Sequence, residues 1–341
     1  MSDLHKSFLK RIKQQENRLG ISINEEKNGD DDDNDIIENY KEFKSTFKAK
    51  IYEKDGCQFQ TYYKPPKDNN HVLFCHHGAG SSSMTFGELT KFINDDSIGF
   101  FLFDMRGHGN STIQENYSLD VLVDDVHYLL SNFIKEYNPD SIFFLGHSLG
   151  GAVFAKYTKI HKISLIKGLI LLDIVEETAV SALSSMPQFI ANRPTTFSSI
   201  SKAIDWHMNF LLFNINSARI SIPDLFHKNL TWKTDLSQTE NYWNTWFTGL
   251  SDNFLNFQGS KLLILSAHET LDKRLMIGQM QGKYQLVIFG NNEKSGHFIH
   301  EDLAKQVSIC ISDFIKKSMY PEKFMRDDLG ITPKWGGNIN K

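Results

Sequence analysis

From about residue 49 the chain becomes a series of short apolar runs bounded by glycine, asparagine and aspartate, separated by longer segments with helical spacing. Strands are predicted near 50–54 and 58–63 and over VLFCHH (72–77), GFFLFD (99–104), SIFFLGH (141–147), GLILLD (168–173), KLLILSA (261–267) and YQLVIFG (284–290). Most of these runs are apolar throughout instead of alternating, as expected of central strands covered by helices on both faces. Helical periodicity marks Ser118 to Tyr137, Leu149 to Ile160 and Glu301 to Lys317. Strands alternating with helices predict an α/β fold with a mostly parallel, doubly wound central sheet flanked by helices.

The alternation breaks between about residues 174 and 259. That interval holds Trp206, Trp232, Trp243, Trp246, Phe210, Phe213, Phe226 and Phe247 and no strong strand. It is expected to be a helical lid inserted over the carboxyl ends of the strands, with extra core helices as the alternative, since aromatic side chains at helical spacing mostly pack. At the front, residues 1–46 form an extension: a short charged helix over 1–19, then an acidic block over 24–39 around Asp30 to Asp33 and Asp35. Charges packed so closely repel one another and bury little, so that block is expected to be disordered, a solvated linker or an acidic docking tail. The folded domain is placed at 47–320, and residues 321–341, with Pro321, Gly330, Pro333, Gly336 and Gly337, form an irregular tail.

Composition narrows the function. The 341 residues are 40% hydrophobic, enough for a large core, and 37 lysines and arginines against 41 aspartates and glutamates give a formal charge of −4. No basic field is available to attract nucleic acid. No run of about eighteen apolar residues appears, and the first twenty residues lack the apolar centre of a secretory signal. The expectation is a soluble, intracellular protein, in the first place cytoplasmic, without a membrane partner. The three cysteines, Cys57, Cys75 and Cys310, lack metal-ligand spacing and are expected to be buried, reduced thiols.

The most specific chemistry lies in Gly146-His147-Ser148-Leu149-Gly150-Gly151, directly after one predicted strand and directly before a predicted helix. In a G-x-S-x-G elbow, small residues on either side let the chain turn sharply enough to hold serine exposed above the sheet edge. Ser148 is the candidate nucleophile. A serine hydroxyl needs a histidine to take its proton and a carboxylate to orient that histidine. His297, following a glycine in a loop after the last strand, is the candidate base, with His300 a structural neighbour at the start of the final helix. Two carboxylates end strands in suitable places, Asp173 and Asp272, and position along the chain does not choose between them. The unused one would make a salt bridge or cap a helix. Backbone N–H groups of Leu149 and of Ala79, in His77-Gly78-Ala79-Gly80-Ser81, are the candidate oxyanion donors. Asp104 to Ser111, with Arg106 and His108, is expected to brace neighbouring loops.

Beyond the elbow, longer strings carry a resemblance: DIVEETAVSALSSMPQFIANRPTTF from Asp173, TWKTDLSQTENYWNTWFTGLS (231–251), LDKRLMIGQMQGKYQL (271–286) and GHFIHED (296–302). Over about residues 47–318 the chain resembles the protein phosphatase methylesterases of the α/β-hydrolase fold. The resemblance implies hydrolysis of the methyl ester on the C-terminal leucine of the type 2A protein phosphatase catalytic subunit, that subunit being the partner. It implies Asp173 as the triad acid with Ser148 and His297, while Asp272 matches a family position outside the triad. No metal or organic cofactor is needed. The chain departs from the family pattern at Ala79 and Ser81, where more glycine or histidine is usual, and in VEET in place of VEGT. Two other functions share parts of the pattern. A general small-molecule carboxylesterase would use the same triad, and a phosphatase-binding inhibitor would mask its partner with hydrolysis incidental.

Overall fold

The computed structural model describes residues 29–320 except 69, 94, 113, 267–269 and 291–293, with the backbone alone for 29–32. Among the described residues the strands are β1 (Lys48–Lys54), β2 (Cys57–Lys64), β3 (His71–His76), β4 (Ile98–Phe103), β5 (Ser141–His147), β6 (Ile166–Leu172), β7 (Ser260–Leu265) and β8 (Gln285–Ile288). They form one sheet in the order β1-β2-β4-β3-β5-β6-β7-β8. β1 and β2 pair antiparallel with each other, and β2 with β4, whereas β3 to β8 run parallel.

Every residue of β3, β4 and β5 is buried, which explains their unbroken apolar character. Successive side chains still alternate between two cores. Val72, Phe74, Phe101 and Phe144 face α3 (Leu119–Tyr137) and α4 (Leu149–Ile160). Leu73, Cys75, Leu102 and Leu145 face α2 (Gly87–Phe92) and α13 (Ala304–Met319). Phe74 stacks on Phe101 with ring centroids 4.6 Å apart, and Phe144 on Phe154 at 4.1 Å. Cys57 and Cys75 are buried free thiols, and Cys310 is half-buried.

Between β6 and β7 the chain is helical: α5 (Glu176–Leu183), α6 (Met186–Asn192), α7 (Ile200–Phe210), α8 (Ile215–Ser221), α9 (Trp243–Trp246) and α10 (Leu250–Asn256), with 3-10 turns at Ile222–Leu225 and Leu236–Tyr242. Its aromatic residues divide. Trp243, Trp246 and Phe247 join the main core, whereas Phe226 and Trp232 pack with α7 and α8 in a separate lid core. After β7 come α11 (Lys273–Met280) and the short α12 (Ile299–Asp302).

The acidic block departs from expectation. Residues Gly29–Ser45 form a helix, α1, so the part of the block from 29 to 39 is not disordered. Its charge density conceals an apolar stripe at helical spacing: Ile36 is buried in the lid core, Ile37 packs against it, and Tyr40 and Phe43 pack against the sheet-side core. The acidic residues are also used. Asp33 accepts hydrogen bonds from the N–H groups of Ile200 and Ser201 at 3.0 and 2.9 Å, satisfying first-turn donors of α7. Further along α1, Lys44 Nζ reaches the fully buried Asp224 at 2.6 Å, and the Tyr40 hydroxyl donates to the same carboxylate. The expected helix over 1–19 and the tail from 321 lie outside the described residues.

Asp33→Ala is expected to lower global stability by about 1 kcal/mol, the usual cost of losing a helix-terminal acceptor. A urea titration monitored by tryptophan fluorescence measures this, with faster amide exchange at Ile200 and Ser201 as the local signature.

Candidate active site

The strand β5 ends at His147 and α4 begins at Leu149, leaving Ser148 alone to make the turn at φ 50°, ψ −121°. A side chain in the positive-φ region is strained, and surrounding structure must hold it there. The glycines permit this geometry. A Cβ on Gly150 would lie 2.1 Å from the His76 carbonyl oxygen, and one on Gly146 would lie 2.5 Å from Gly151 Cα. The Ser148 N–H donates to Leu172 O at 3.2 Å, and its side chain makes no helix-capping hydrogen bond. The positive end of the α4 dipole meets the hydroxyl.

Asp173, directly after β6, also has a positive φ, 47°. Its side chain is fully buried and both carboxylate oxygens are occupied. Oδ1 accepts the Ser266 N–H at 2.7 Å, and Oδ2 lies 3.0 Å from Nδ1 of His297. The His297 side chain remains 36% exposed, with one edge of the imidazole on the carboxylate and the ring centroid 4.7 Å from that of His147. His297 and Ser148 line the same cavity. Asp272 has another use. It is the N-cap of α11, accepting from Leu275 N–H at 2.8 Å and from the Ser251 hydroxyl at 2.5 Å.

The glycine-rich loop after β3 lies against the serine: a Cβ on Gly78 would meet Ser148 Cβ at 3.0 Å. Ala79 lines the cavity, while Leu149 begins α4 with its side chain fully buried in the main core. The loop is braced by histidines. His108 Nε2 accepts the Gly80 N–H at 2.9 Å while its Nδ1 faces Arg106 O at 2.9 Å, and His77 Nε2 accepts the Met105 N–H at 2.9 Å. Arg106 in turn forms a bidentate pair with Asp125 at 2.5 and 2.6 Å. Asp104 to Ser111 therefore acts as scaffolding. His300, fully buried, meets Thr85 Oγ1 at 2.8 Å.

Two contributors escape the sequence pattern. His147, the variable residue of the elbow, donates from Nε2 to the His297 carbonyl at 2.9 Å and so fixes the loop that carries the imidazole. Asp302 holds the same loop through Gly296 N–H at 2.8 Å and the lid through Phe213 N–H at 2.7 Å. The only signal for either was a concentration of polar residues around the strand ends.

The cavity measures about 210 Å³ and is chiefly apolar, walled by Leu183, Met186, Trp206, Leu212 and Ile222 of the lid. Arg193 also lines it, with the guanidinium 4.0 Å from the Trp232 ring centroid. Among the described residues, no group of three or more histidines, cysteines or acids is arranged to hold a metal ion. Nor, among the described residues, is any helix long and apolar enough to cross a membrane. A strained serine at a helix N-terminus, beside a carboxylate-bound imidazole and an apolar cavity, is equipped for acyl transfer.

Comparison with known proteins agrees with this chemistry. A sequence profile of the alpha/beta hydrolase fold matches residues 70–303. The chain is 58% identical over 360 residues to protein phosphatase methylesterase 1 of Candida albicans, and 45% identical over 394 residues to that of Debaryomyces hansenii, both covering 100% of each chain. Among solved structures, E-2-(acetamidomethylene)succinate hydrolase matches with a TM-score of 0.64 at 18% identity, over 79% of this chain and 99% of the other. That last likeness concerns the fold.

The buried histidines set an acid limit on stability. Burial holds His108 and His207 down to about 4, His76 and His300 to about 3, and His77 and His147 well below the ordinary value. The folded state keeps these rings neutral while the unfolded chain binds protons below about pH 6.5, so their contribution is complete above 6.5 and is lost as pH falls toward 4. Each can remove up to about 1.4 kcal/mol per pH unit in that window. Urea midpoints measured from pH 7 to pH 4 are expected to fall steeply, and replacing His207 with glutamine is expected to flatten the slope.

Proposed function

The chain belongs to the protein phosphatase methylesterase family of the α/β-hydrolase fold, and from that premise and the site geometry we propose that it removes the methyl ester from the C-terminal leucine of a type 2A protein phosphatase catalytic subunit, using Ser148, His297 and Asp173. The observation that carries the residue assignment is the 3.0 Å contact between His297 Nδ1 and Asp173 Oδ2, with Ser148 on the same cavity as the imidazole. The asparatate's position supports it over Asp272, whose oxygens serve a helix cap and Ser251.

In the proposed course, His297 Nε2 accepts the Ser148 proton as Oγ attacks the ester carbonyl. Asp173 stabilises the resulting imidazolium and keeps Nδ1 protonated, which leaves Nε2 as the basic nitrogen. The tetrahedral oxyanion is held by the N–H groups of Leu149 and Ala79, in a loop braced by uncharged histidines. Collapse expels the methoxy group, which leaves as methanol with the proton from His297. Water, activated by the same imidazole, then attacks the acyl-enzyme. Its hydrolysis frees the leucine carboxylate and restores Ser148. The apolar cavity suits the leucine side chain and a neutral ester.

Ser148→Ala is expected to abolish methanol release from a methylated phosphatase tail while leaving the unfolding free energy from urea titration within about 1 kcal/mol of the parent. Asp173→Asn is expected to lower kcat about ten-thousandfold, as loss of the orienting carboxylate does in other triads. Asp272→Asn should retain kcat and lose stability through its weakened cap. Loss of turnover confined to the Asp272 variant would reverse the assignment of the acid. Short-chain esters hydrolysed in strong preference to the methylated tail would instead identify a general carboxylesterase.

A further inference from the structure

Glu301 lies four residues beyond His297, in α12, at the edge of the cavity that holds Ser148. It is 2% exposed, an uncommon place for a carboxyl group with no cationic partner among the described residues. Oε1 lies 2.5 Å from the Thr85 hydroxyl and Oε2 lies 2.6 Å from the Ser221 hydroxyl, both within hydrogen-bond distance. Thr85 belongs to the helical turn Ser83–Phe86 just after the glycine-rich loop, and Ser221 ends α8 of the lid. The backbone carbonyl of Glu301 adds two further lid contacts, accepting from Asn214 Nδ2 at 3.0 Å and from the Ser217 hydroxyl at 2.9 Å. His300 closes the network through Thr85 Oγ1 at 2.8 Å, and its ring lies 4.5 Å from that of His147, which holds the His297 carbonyl.

We infer that Glu301 is a positioning residue for the esterase reaction, its carboxyl fastening the His297 loop at once to the lid and to the turn behind the oxyanion loop. Three segments far apart in sequence, each supplying part of the site, meet at this side chain. The inference rests on the Ser148 and His297 assignment above and adds a residue that does not itself touch the reacting atoms.

The ionisation state follows from the surroundings. Burial pushes the carboxyl up to about 8, against the lowering effect of the Ser221 and Thr85 hydroxyls, with Asp302 adding to the rise. The charged groups on the packed elements leave this balance intact. On α12, Asp302 is engaged with Gly296 and Phe213, and His300 is neutral. On α2, Glu88 pairs with Lys91. Beyond α8, with its Arg219, Asp224 is held by Lys44, and α13 begins with Lys305 on its exposed side. His147 behind His300 is neutral. At neutral pH the carboxyl is therefore protonated and acts through hydrogen bonds alone. Above about pH 8 it becomes a buried anion at the cavity wall, opposing the oxyanion that develops at Ser148.

The test compares the full-length protein with Glu301→Gln and Glu301→Ala, using two readouts from pH 6 to 9.5. One is methanol release from a peptide ending in leucine methyl ester. The other is phosphonylation of Ser148 by a small fluorophosphonate, in which the serine oxygen bonds phosphorus, fluoride leaves and the proton passes to His297. Glutamine can keep both hydroxyl contacts and cannot ionise. It is expected to hold kcat and labelling rate within about threefold at pH 7 and to remove the decline near pH 8 seen in the parent. Alanine is expected to lower kcat and labelling about a hundredfold with a smaller change in KM, the order of loss that follows ångström-scale misplacement. An alkaline decline that persists unchanged in Glu301→Gln overturns the inference, as does parent-like labelling by Glu301→Ala. Should Glu301→Ala fail to fold, the glutamine pH profile still decides. If no variant turns over the leucine ester while labelling follows the expected pattern, the proposed substrate fails and the role of Glu301 stands.

Discussion

Holding Ser148 at φ 50°, ψ −121° is the constraint on which the rest of the site depends. A serine in that conformation does not persist unaided. It persists because β5 and α4 are anchored in the main core on both sides of the bend, with Phe144 stacked on Phe154 across the junction. The glycines let neighbouring backbone close around the turn: the space beside Gly150 is filled by the His76 carbonyl, and that beside Gly78 by the serine's own Cβ. The same packing that secures the strand and helix thus brings the glycine-rich loop against Ser148. Core burial on the two sides of the sheet is what maintains the strain.

A second positive-φ residue, Asp173, plays a matching role at the next strand. Its turn directs one carboxylate oxygen to Ser266 N–H beyond β7 and the other to His297. The choice between two acids was illegible in the sequence for this reason. Asp173 and Asp272 both follow parallel strands at the same sheet edge, and only the local backbone conformation and the competing Ser251 contact separate them. The strand runs themselves were legible because strands buried on both faces must be apolar throughout. The elbow was legible because its glycines are required by close backbone approach.

Other features required tertiary information. The acidic segment has the composition of a disordered chain, yet its Ile36, Tyr40 and Phe43 stripe and the Asp33 contacts at α7 give α1 partners that an isolated segment lacks. Composition averages over a helix face and hides such a stripe. His147 and Glu301 were hidden differently. Each acts through a segment more than seventy residues away, on contacts that become definable only after the sheet assembles.

The polar groups around the nucleophile share an electrostatic property. His77, His108, His147 and His300 are all held neutral by burial, and each is fixed by a hydrogen bond to backbone or hydroxyl. Charged braces at the same positions would superimpose fixed fields on a reaction whose transition state separates an imidazolium from an oxyanion. Neutral donors and acceptors supply rigidity without that competing field, so that in the proposed reaction Asp173 is the carboxylate on the imidazole and the oxyanion would meet oriented N–H dipoles. Preorganisation of this kind requires that the bracing rings neither titrate nor turn over the working pH range. Their burial secures both conditions, and the same burial explains why the fold must weaken in acid.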